Sequence, residues 1–302
     1  MTKLKRILAA TDLSAPARRA VARAYHIAGV TGAELTLLHV INLGALAELR
    51  TLLGGTAAAV EQRLLDASRE ALGHLAGELG QTHGVSASLR LSTGRVLAAI
   101  LDEADALDAS LIVVGARGEG FLGRMLIGTT AERLLRRTLR PMLVVKQTPH
   151  EAYRRVLVPV DFSSWSAEVL RLAQAAAPGA ELILFHAFEA PFESKLRYAG
   201  VEEQTLGRYL AAARAEALAK LQDLTNAAGF DAAPVHLHVQ HGEAARLILA
   251  QEQELDCDLI VLGKHGQGML EELLLGSVTK HVLAESAGDV LVVNQAQVKT
   301  SR

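Results

Sequence analysis

The sequence predicts an α/β fold made of two tandem domains, and three observations support this prediction. Short apolar blocks of the first half recur in the same order in the second half. Within each half, β-branched or apolar runs alternate with longer segments of helical period. Half of the 302 residues are hydrophobic and 21% are charged, which is typical of a globular protein with a sizeable core.

The internal repeat is visible in four pairs of blocks. These are RILAATDLS and RVLVPVDFS, ELTLLHV and ELILFHA, LIVVGARG and LIVLGKHG, and PMLVV and DVLVV. Their nearly constant offset along the chain predicts two homologous domains, at residues 1–147 and 154–296. The proline-containing segment QTPHEAY, Gln147–Tyr153, is interpreted as a short linker between them.

Each half is expected to contain five strands with helices between them. In the first half the strands are KRILAA, ELTLLHV, VSASLRL, LIVVG and MLVVK, and the helices are Ala15–Ala28, Ala57–Thr82, Arg95–Ala106 and Met125–Thr138. This alternation predicts a mostly parallel sheet with helices on both faces. The third strand alternates polar and apolar residues in both halves, as VSASLRL and VHLHV, which indicates a sheet edge with one wet face.

A glycine pattern follows the fourth strand of each half. Gly115-x-x-Gly118, nine residues and Gly128-Thr129 recur as Gly263-x-x-Gly266, nine residues and Gly276-Ser277. Glycine permits positive φ and close approach of a ligand to the backbone, and successive N–H groups can form an anion-binding concavity. A helix that begins nearby would add its positive end. The repeated spacing favours phosphate or nucleotide binding over the alternative, a plain strand-to-helix turn.

Composition narrows the classes of partner. The formal net charge of −2 gives no electrostatic support for binding nucleic acid or an anionic membrane. No apolar run reaches the roughly 18 residues that a membrane span needs. The single cysteine, Cys257, excludes an intramolecular disulfide and fits a reducing cytoplasm, where we expect the protein. It is interpreted as a small buried residue.

Each half resembles a universal stress protein domain of the ATP-binding subset, on the glycine pattern, the Asp after the first strand and the second strand ending in a His-Val-like pair. The resemblance covers nearly the whole chain. It implies adenine nucleotide α-hydrolase-like, Rossmann-like domains, each with strand order 3-2-1-4-5. It also implies that the halves pair through their fifth strands as an intramolecular pseudo-dimer, with a dimer of tandem chains as a further option.

The resemblance also implies a set of site residues, with ATP and an accompanying Mg²⁺ or other divalent cation as ligands. Asp12 and Val40, and Asp161 and Ala187, would contact the adenine. The residues that would hold the ribose and phosphates are Gly115, Gly118, Gly128 and Thr129, then Gly263, Gly266, Gly276 and Ser277.

The two copies differ in charge between their second and third glycines. The first has Arg124, with Arg117 just before, and either guanidinium could offset phosphate charge. The second has Lys264 and His265, followed by Glu271 and Glu272. Because carboxylates repel phosphates unless they face solvent or hold a metal, we expect the first copy to be the better site.

Other titratable residues suggest weaker hypotheses. His236 and His238 share one strand face, with His241 beyond it, so zinc is one reading and a wet edge strand the other. His39 and His186 are interpreted as hydrogen-bonding caps of buried strands rather than as bases. Ser14 and Ser163 are expected to cap the next helices.

The predicted function is nucleotide binding in a stress-response or regulatory role, with an unidentified protein partner. The sequence contains no dedicated catalytic set, so enzyme activity is at most slow ATP hydrolysis. The alternative is a nucleotide-free scaffold or chaperone-like protein in which the glycine loops are structural turns.

Overall fold

The computed structural model describes residues 3–42, 51, 57–116, 127–190, 193–230, 235–265 and 275–294. In the first half, strands and helices alternate along the chain. They are β1 (Arg6–Thr11), α1 (Ala15–Thr31), β2 (Glu34–Asn42), α2 (Ala57–His83), β3 (Ala87–Gly94), α3 (Val96–Ala106), β4 (Leu111–Gly115), α4 (Thr129–Arg137) and β5 (Met142–Val145).

The second half repeats this order and adds a short helix after its second strand. Its elements are β6 (Arg155–Pro159), α5 (Ser166–Ala176), β7 (Glu181–Phe188), α6 (Glu193–Tyr198), α7 (Glu203–Ala228), β8 (Val235–His241), α8 (Ala244–Glu254), β9 (Leu259–Gly263), α9 (Ser277–Glu285) and β10 (Asp289–Val293). The α/β class is therefore confirmed.

All ten strands form one sheet, in the order β3-β2-β1-β4-β5-β10-β9-β6-β7-β8. Pairing is parallel within each half, and each half has the strand order that the resemblance implies. The halves join through an antiparallel contact of β5 with β10, in which Leu143 faces Leu291. The fifth strands thus pair as expected, and β3 and β8 lie at the two edges of the sheet.

The core has two layers, one on each face of the sheet. Alternation along β1 directs Ile7 and Ala9 into one layer and Leu8 and Ala10 into the other. The first layer packs under α1, α2, α5 and α7, and the second under α3, α4, α8 and α9. Burial of aliphatic side chains on both faces of the sheet is the main stabilising term of such a fold.

Several predicted boundaries are wrong by a few residues. The fourth helix begins at Thr129 rather than Met125, because the backbone at Gly128 is extended, with φ −58° and ψ 145°. The third strand is displaced toward Gly94. Ser14 caps α1 as predicted, since its hydroxyl accepts the N–H of Ala17. Ser163 does not cap α5: one further turn intervenes, and that helix begins after Trp165.

The segment predicted as a linker is held by a buried charge network. Tyr153 is 6% exposed, and its hydroxyl donates to Asp289 Oδ2 at 2.7 Å. The Arg23 guanidinium stacks 4.0 Å above the Tyr153 ring and pairs with Asp289 Oδ2 at 3.2 Å. Lys146 and Gln147 donate their N–H groups to Asp289 Oδ1. One carboxylate therefore ties α1, the connecting segment and β10 together.

Two glycines are expected to respond in opposite directions to substitution by alanine. A Cβ at Gly288 would lie 3.0 Å from Asp258 O and from Oε1 of Glu252, which itself accepts the Gly288 N–H. Gly288→Ala should therefore lower the free energy of unfolding by about 1–3 kcal/mol through overpacking. Gly77, inside α2, has open space around it, so Gly77→Ala should raise it by about 0.5–1 kcal/mol.

Urea denaturation of both variants beside the wild type measures these changes. Two shifts of the same sign would contradict the packing described around Gly288.

Candidate functional site

The predicted site residues that the structure describes lie at the carboxyl ends of the strands in each half. Because β5 and β10 are antiparallel, the two sets lie at opposite ends of the shared sheet. In each half the first strand lies between the second and the fourth, so the connections diverge there, and such a switch point commonly forms a ligand crevice. Asp12 follows β1, and Gly115 ends the neighbouring β4. The second half repeats this arrangement with Asp161 and Gly263. Val40 and Ala187 lie near the carboxyl ends of β2 and β7.

Part of the predicted set lies outside the described residues. This part comprises Arg117, Gly118, Arg124 and Gly266, together with Glu271 and Glu272. The charge difference used to rank the two copies depends on these residues, so that ranking stays a prediction.

The base of each glycine loop is closed by a backbone hydrogen bond. Gly128 donates its N–H to Ala116 O at 2.7 Å, and Gly276 donates to Lys264 O at 3.0 Å. The strand end and the helix start are thus held side by side in both halves. This contact fixes where the loop leaves the sheet and where it returns.

Helices α4 and α9 begin at these closures without a side-chain cap. Their N-cap residues are Gly128 and Gly276, whereas Ser14 and Glu243 cap α1 and α8 with side-chain oxygens. An uncapped helix start presents N–H groups and partial positive charge to any neighbouring anion. Thr129 and Ser277 are the first helical residues, and both are exposed.

Positive φ does not explain the described glycines of the pattern. Gly128 and Gly276 have φ of −58° and −57°, which any residue can adopt. Close approach explains Gly263 better, because a Cβ there would lie 3.3 Å from His265 O. The expectation of left-handed glycine turns is therefore wrong at these two helix caps.

Asp12 and Asp161 organise the turn after the first strand of each half. Oδ1 of each carboxylate accepts the N–H of the serine two residues later at 3.0 Å. The residues between, Leu13 and Phe162, have φ of 66° and 59°. Left-handed backbone is uncommon for such side chains. Each aspartate thus has a local structural role in addition to any contact with a ligand.

His39 and His186 hold the same turns, as predicted. Their Nδ1 atoms lie 2.8 Å from Thr11 O and Val160 O. Since a carbonyl oxygen only accepts, each Nδ1 must carry the hydrogen. Burial is the main cause that lowers the pKa of His186. A histidine used in this way positions the backbone at the strand end.

A cavity of about 150 Å³ opens at the carboxyl ends of the strands in the second half. Asp161, Ala187 and Gly263 of the predicted set contribute to its wall. Apolar residues form much of the remaining surface. These include Val160, Val169, Ile248, Leu262 and Val278. The combination of apolar walls with a few polar groups is typical of small-molecule sites.

Three further residues of this cavity were not predicted. Trp165, the only tryptophan of the chain, lines it together with Thr279 and Asn294. Thr279 donates its hydroxyl to Gly263 O at 2.9 Å and so ties α9 to the end of β9.

The sequence places the positive charge of Lys264 near the second glycine pattern, but its side chain is used in a contact with the first half. It is 3% exposed, and its Nζ donates to Arg136 O of the first half at 3.0 Å. The lysine therefore stabilises the junction between the halves.

The sequence matches a known protein family in both halves. The sequence model of the Universal stress protein family matches residues 3–146 and again 152–294. The chain belongs to the universal stress protein family. A universal stress protein of Mycolicibacterium smegmatis (strain ATCC 700084 / mc(2)155) is 30% identical over 95% of this chain and 96% of its own length. One of Mycobacterium tuberculosis (strain ATCC 25618 / H37Rv) is 30% identical over 63% of each chain.

Solved structures agree with this fold. A universal stress protein from Archaeoglobus fulgidus DSM 4304 superposes with a TM-score of 0.70 at 23% identity, covering 96% of this chain and 98% of that one. A functionally unknown protein from Pseudomonas aeruginosa PAO1 superposes with a TM-score of 0.61 at 21% identity, over 96% and 92%. The two matches of the family model show the tandem arrangement of this universal stress protein.

The histidines of β8 contact carboxylates of other elements. His236 Nε2 lies 3.2 Å from Glu181 Oε1, and His241 Nε2 lies 2.7 Å from Glu193 Oε2. Within the described ranges, no group of three His, Cys, Asp or Glu side chains is arranged to hold a metal ion. These contacts favour the wet edge strand over a zinc site.

Cys257 is a buried free thiol. Burial is the main cause that raises the pKa of the Cys257 thiol to about 12, which agrees with a small buried residue.

No helix in the described part of the chain is long and apolar enough to cross a membrane.

Proposed function

We propose that this universal stress protein binds an adenine nucleotide, ATP with Mg²⁺, and acts in the cytoplasm as a regulatory switch. Family membership supports a general role in stress response. One observation carries the finer proposal: an uncapped helix start lies beside an apolar cavity at the switch point of the sheet. That is the combination that a molecule with an aromatic base and a phosphate chain requires.

The parts of the second-half cavity fit such a ligand. The base would pack among apolar side chains such as Val160, Ala187 and Val278. The phosphates would extend toward the start of α9, where backbone N–H groups and the Ser277 hydroxyl can donate. Bound Mg²⁺ would neutralise phosphate charge and be held mainly through the phosphate oxygens.

Binding is proposed as the activity, with hydrolysis at most slow. Among the described residues of this cavity, the only carboxylate is Asp161, whose Oδ1 already accepts the Ser163 N–H. His186 uses Nδ1 to hold Val160 O. A nucleotide bound at the start of α9 would change the surface that a protein partner contacts.

The competing proposal is a nucleotide-free scaffold, and one observation favours it. The loop bases close through their own hydrogen bonds, Gly128 to Ala116 and Gly276 to Lys264. The strand end and the helix start of each half are therefore held together by protein contacts. Only a binding measurement separates the two proposals.

Fluorescence of Trp165 provides that measurement for the second half, because this residue is the only tryptophan and lines the cavity. Titration with ATP and Mg²⁺ should change its emission in a saturable manner. Native mass spectrometry of the purified protein should show one or two bound nucleotides. An unchanged emission together with no heat of binding by calorimetry would reject nucleotide binding in favour of the scaffold.

A further inference from the structure

We propose that the amide oxygen of Asn294 selects the ligand of the second-half cavity by accepting a hydrogen bond from a sugar hydroxyl. This inference rests on the proposed nucleotide binding and concerns a residue outside the glycine pattern. Asn294 directly follows β10 and contributes to the cavity wall beside Gly263 and Thr279.

The orientation of the Asn294 amide is fixed by one contact across the junction of the halves. Nδ2 lies 2.7 Å from Arg140 O. Because a carbonyl oxygen only accepts, the NH₂ group must occupy this position. The amide oxygen is therefore the side-chain atom of this cavity residue that is left to accept a hydrogen bond.

That oxygen lacks a partner in the described structure. Asn294 is 5% exposed, and its Oδ1 is buried with no hydrogen bond from any described residue. A buried acceptor that stays unpaired is costly, and such groups are rare in folded proteins. A ligand that supplies a donor would remove this cost.

The chemistry of the acceptor restricts what it contacts. Phosphate oxygens are acceptors and would be repelled, whereas hydroxyl and amino groups donate. Along the sheet, Asn294 lies on the β9 and β10 side, and Ala187 belongs to β7 beyond β6. A base that packs near Ala187 would place the sugar, rather than its amino group, toward Asn294.

The first half has a different residue at this position. Val145 pairs with Gly115 as Val293 pairs with Gly263, so Lys146 is the counterpart of Asn294. Lys146 Nζ donates to Ser286 O and Oγ, at 2.7 Å each, across the junction. The acceptor is thus a feature of the second-half cavity, and the two halves should differ in ligand selectivity.

The test compares ATP, 2′-deoxy-ATP, 3′-deoxy-ATP and purine riboside triphosphate by Trp165 fluorescence. The wild type should bind ATP about fivefold to tenfold more tightly than one of the deoxy analogues, as expected for one hydrogen bond. In Asn294→Ala that ratio should fall to about two or less. Lys146→Ala, which removes a cross-junction contact at the matched position, should keep the wild-type ratio.

Asn294→Lys is the second variant, because an ammonium can still donate to Arg140 O while the acceptor is lost. This variant should lose the same preference for ATP over the deoxy analogue. It provides the test if Asn294→Ala is too unstable to titrate. Equal affinity of the wild type for all three sugars, or an unchanged ratio in these variants, would overturn the proposal. A different result would also overturn it: variants that lose only the preference for ATP over purine riboside triphosphate, because that analogue lacks the amino group of adenine and keeps the sugar. Wild-type protein that binds no nucleotide would instead overturn the proposed function itself.

Discussion

Replacing Asp289 with alanine is expected to lower the free energy of unfolding by about 3–5 kcal/mol. The Asp289 side chain is fully buried and accepts from the Tyr153 hydroxyl and from two backbone N–H groups, and it pairs with Arg23 at 3.2 Å. The Arg23 side chain is 5% exposed. Without Asp289, the buried Arg23 guanidinium would lose its counter-ion, and the Tyr153 hydroxyl and two backbone N–H groups would lose their acceptor. That loss, rather than the pair's own attraction, makes the effect large.

Electrostatics at Tyr153 are consistent with this network. Burial, followed by the negative charge of Asp289, raises the pKa of Tyr153 well above its ordinary value. The phenol is therefore neutral and donates its hydrogen over the accessible pH range. This hydrogen atom is the one that the phenol donates to Asp289 Oδ2.

Guanidinium chloride denaturation of Asp289→Ala would measure the change. The matched control is Asp105→Ala, which removes an exposed partner of Arg140 at 3.1 Å and should cost less than about 1 kcal/mol. Comparable losses in the two variants would contradict the central position given to Asp289. An unfolding transition that splits in two only for Asp289→Ala would show that the halves have become uncoupled.

Much of the fold was accessible from the sequence because the sequence is duplicated. Blocks such as LIVVG and LIVLG mark β4 and β9 without error, since a buried parallel strand must be continuously apolar. The starts of α4 and α5 were not accessible. They depend on the extended backbone at Gly128 and on an extra turn before Ser166, which no apolar period encodes.

Agreement between the halves marks part of the candidate site. Gly263 and Asp161 recur as Gly115 and Asp12, and comparison of the halves therefore finds them. Recurrence in the other half does not mark three further cavity residues, which are Trp165, Thr279 and Asn294. Their counterparts are Pro16, Ala131 and Lys146, so the comparison that reveals shared residues conceals those that distinguish one cavity from the other.

Ser277→Asp is expected to weaken ATP binding in the second half by at least about thirtyfold while leaving the protein as stable or slightly more stable. A carboxylate in the first turn of α9 interacts favourably with the helix dipole, by about 0.3–1 kcal/mol. The same charge about 5 Å from a phosphate costs on the order of 3 kcal/mol at an effective dielectric constant of 20. Stability and affinity should therefore change in opposite directions.

Thr129→Asp is the matched control, because Thr129 is the first residue of α4 and is exposed like Ser277. It should also keep or raise the melting temperature, yet leave the Trp165 response to ATP unchanged, since that tryptophan lines only the described second-half cavity. If Ser277→Asp keeps the wild-type affinity, the start of α9 does not hold the phosphates. If the wild type binds and only Thr129→Asp alters the Trp165 signal, the two halves are coupled through the junction that Asp289 stabilises.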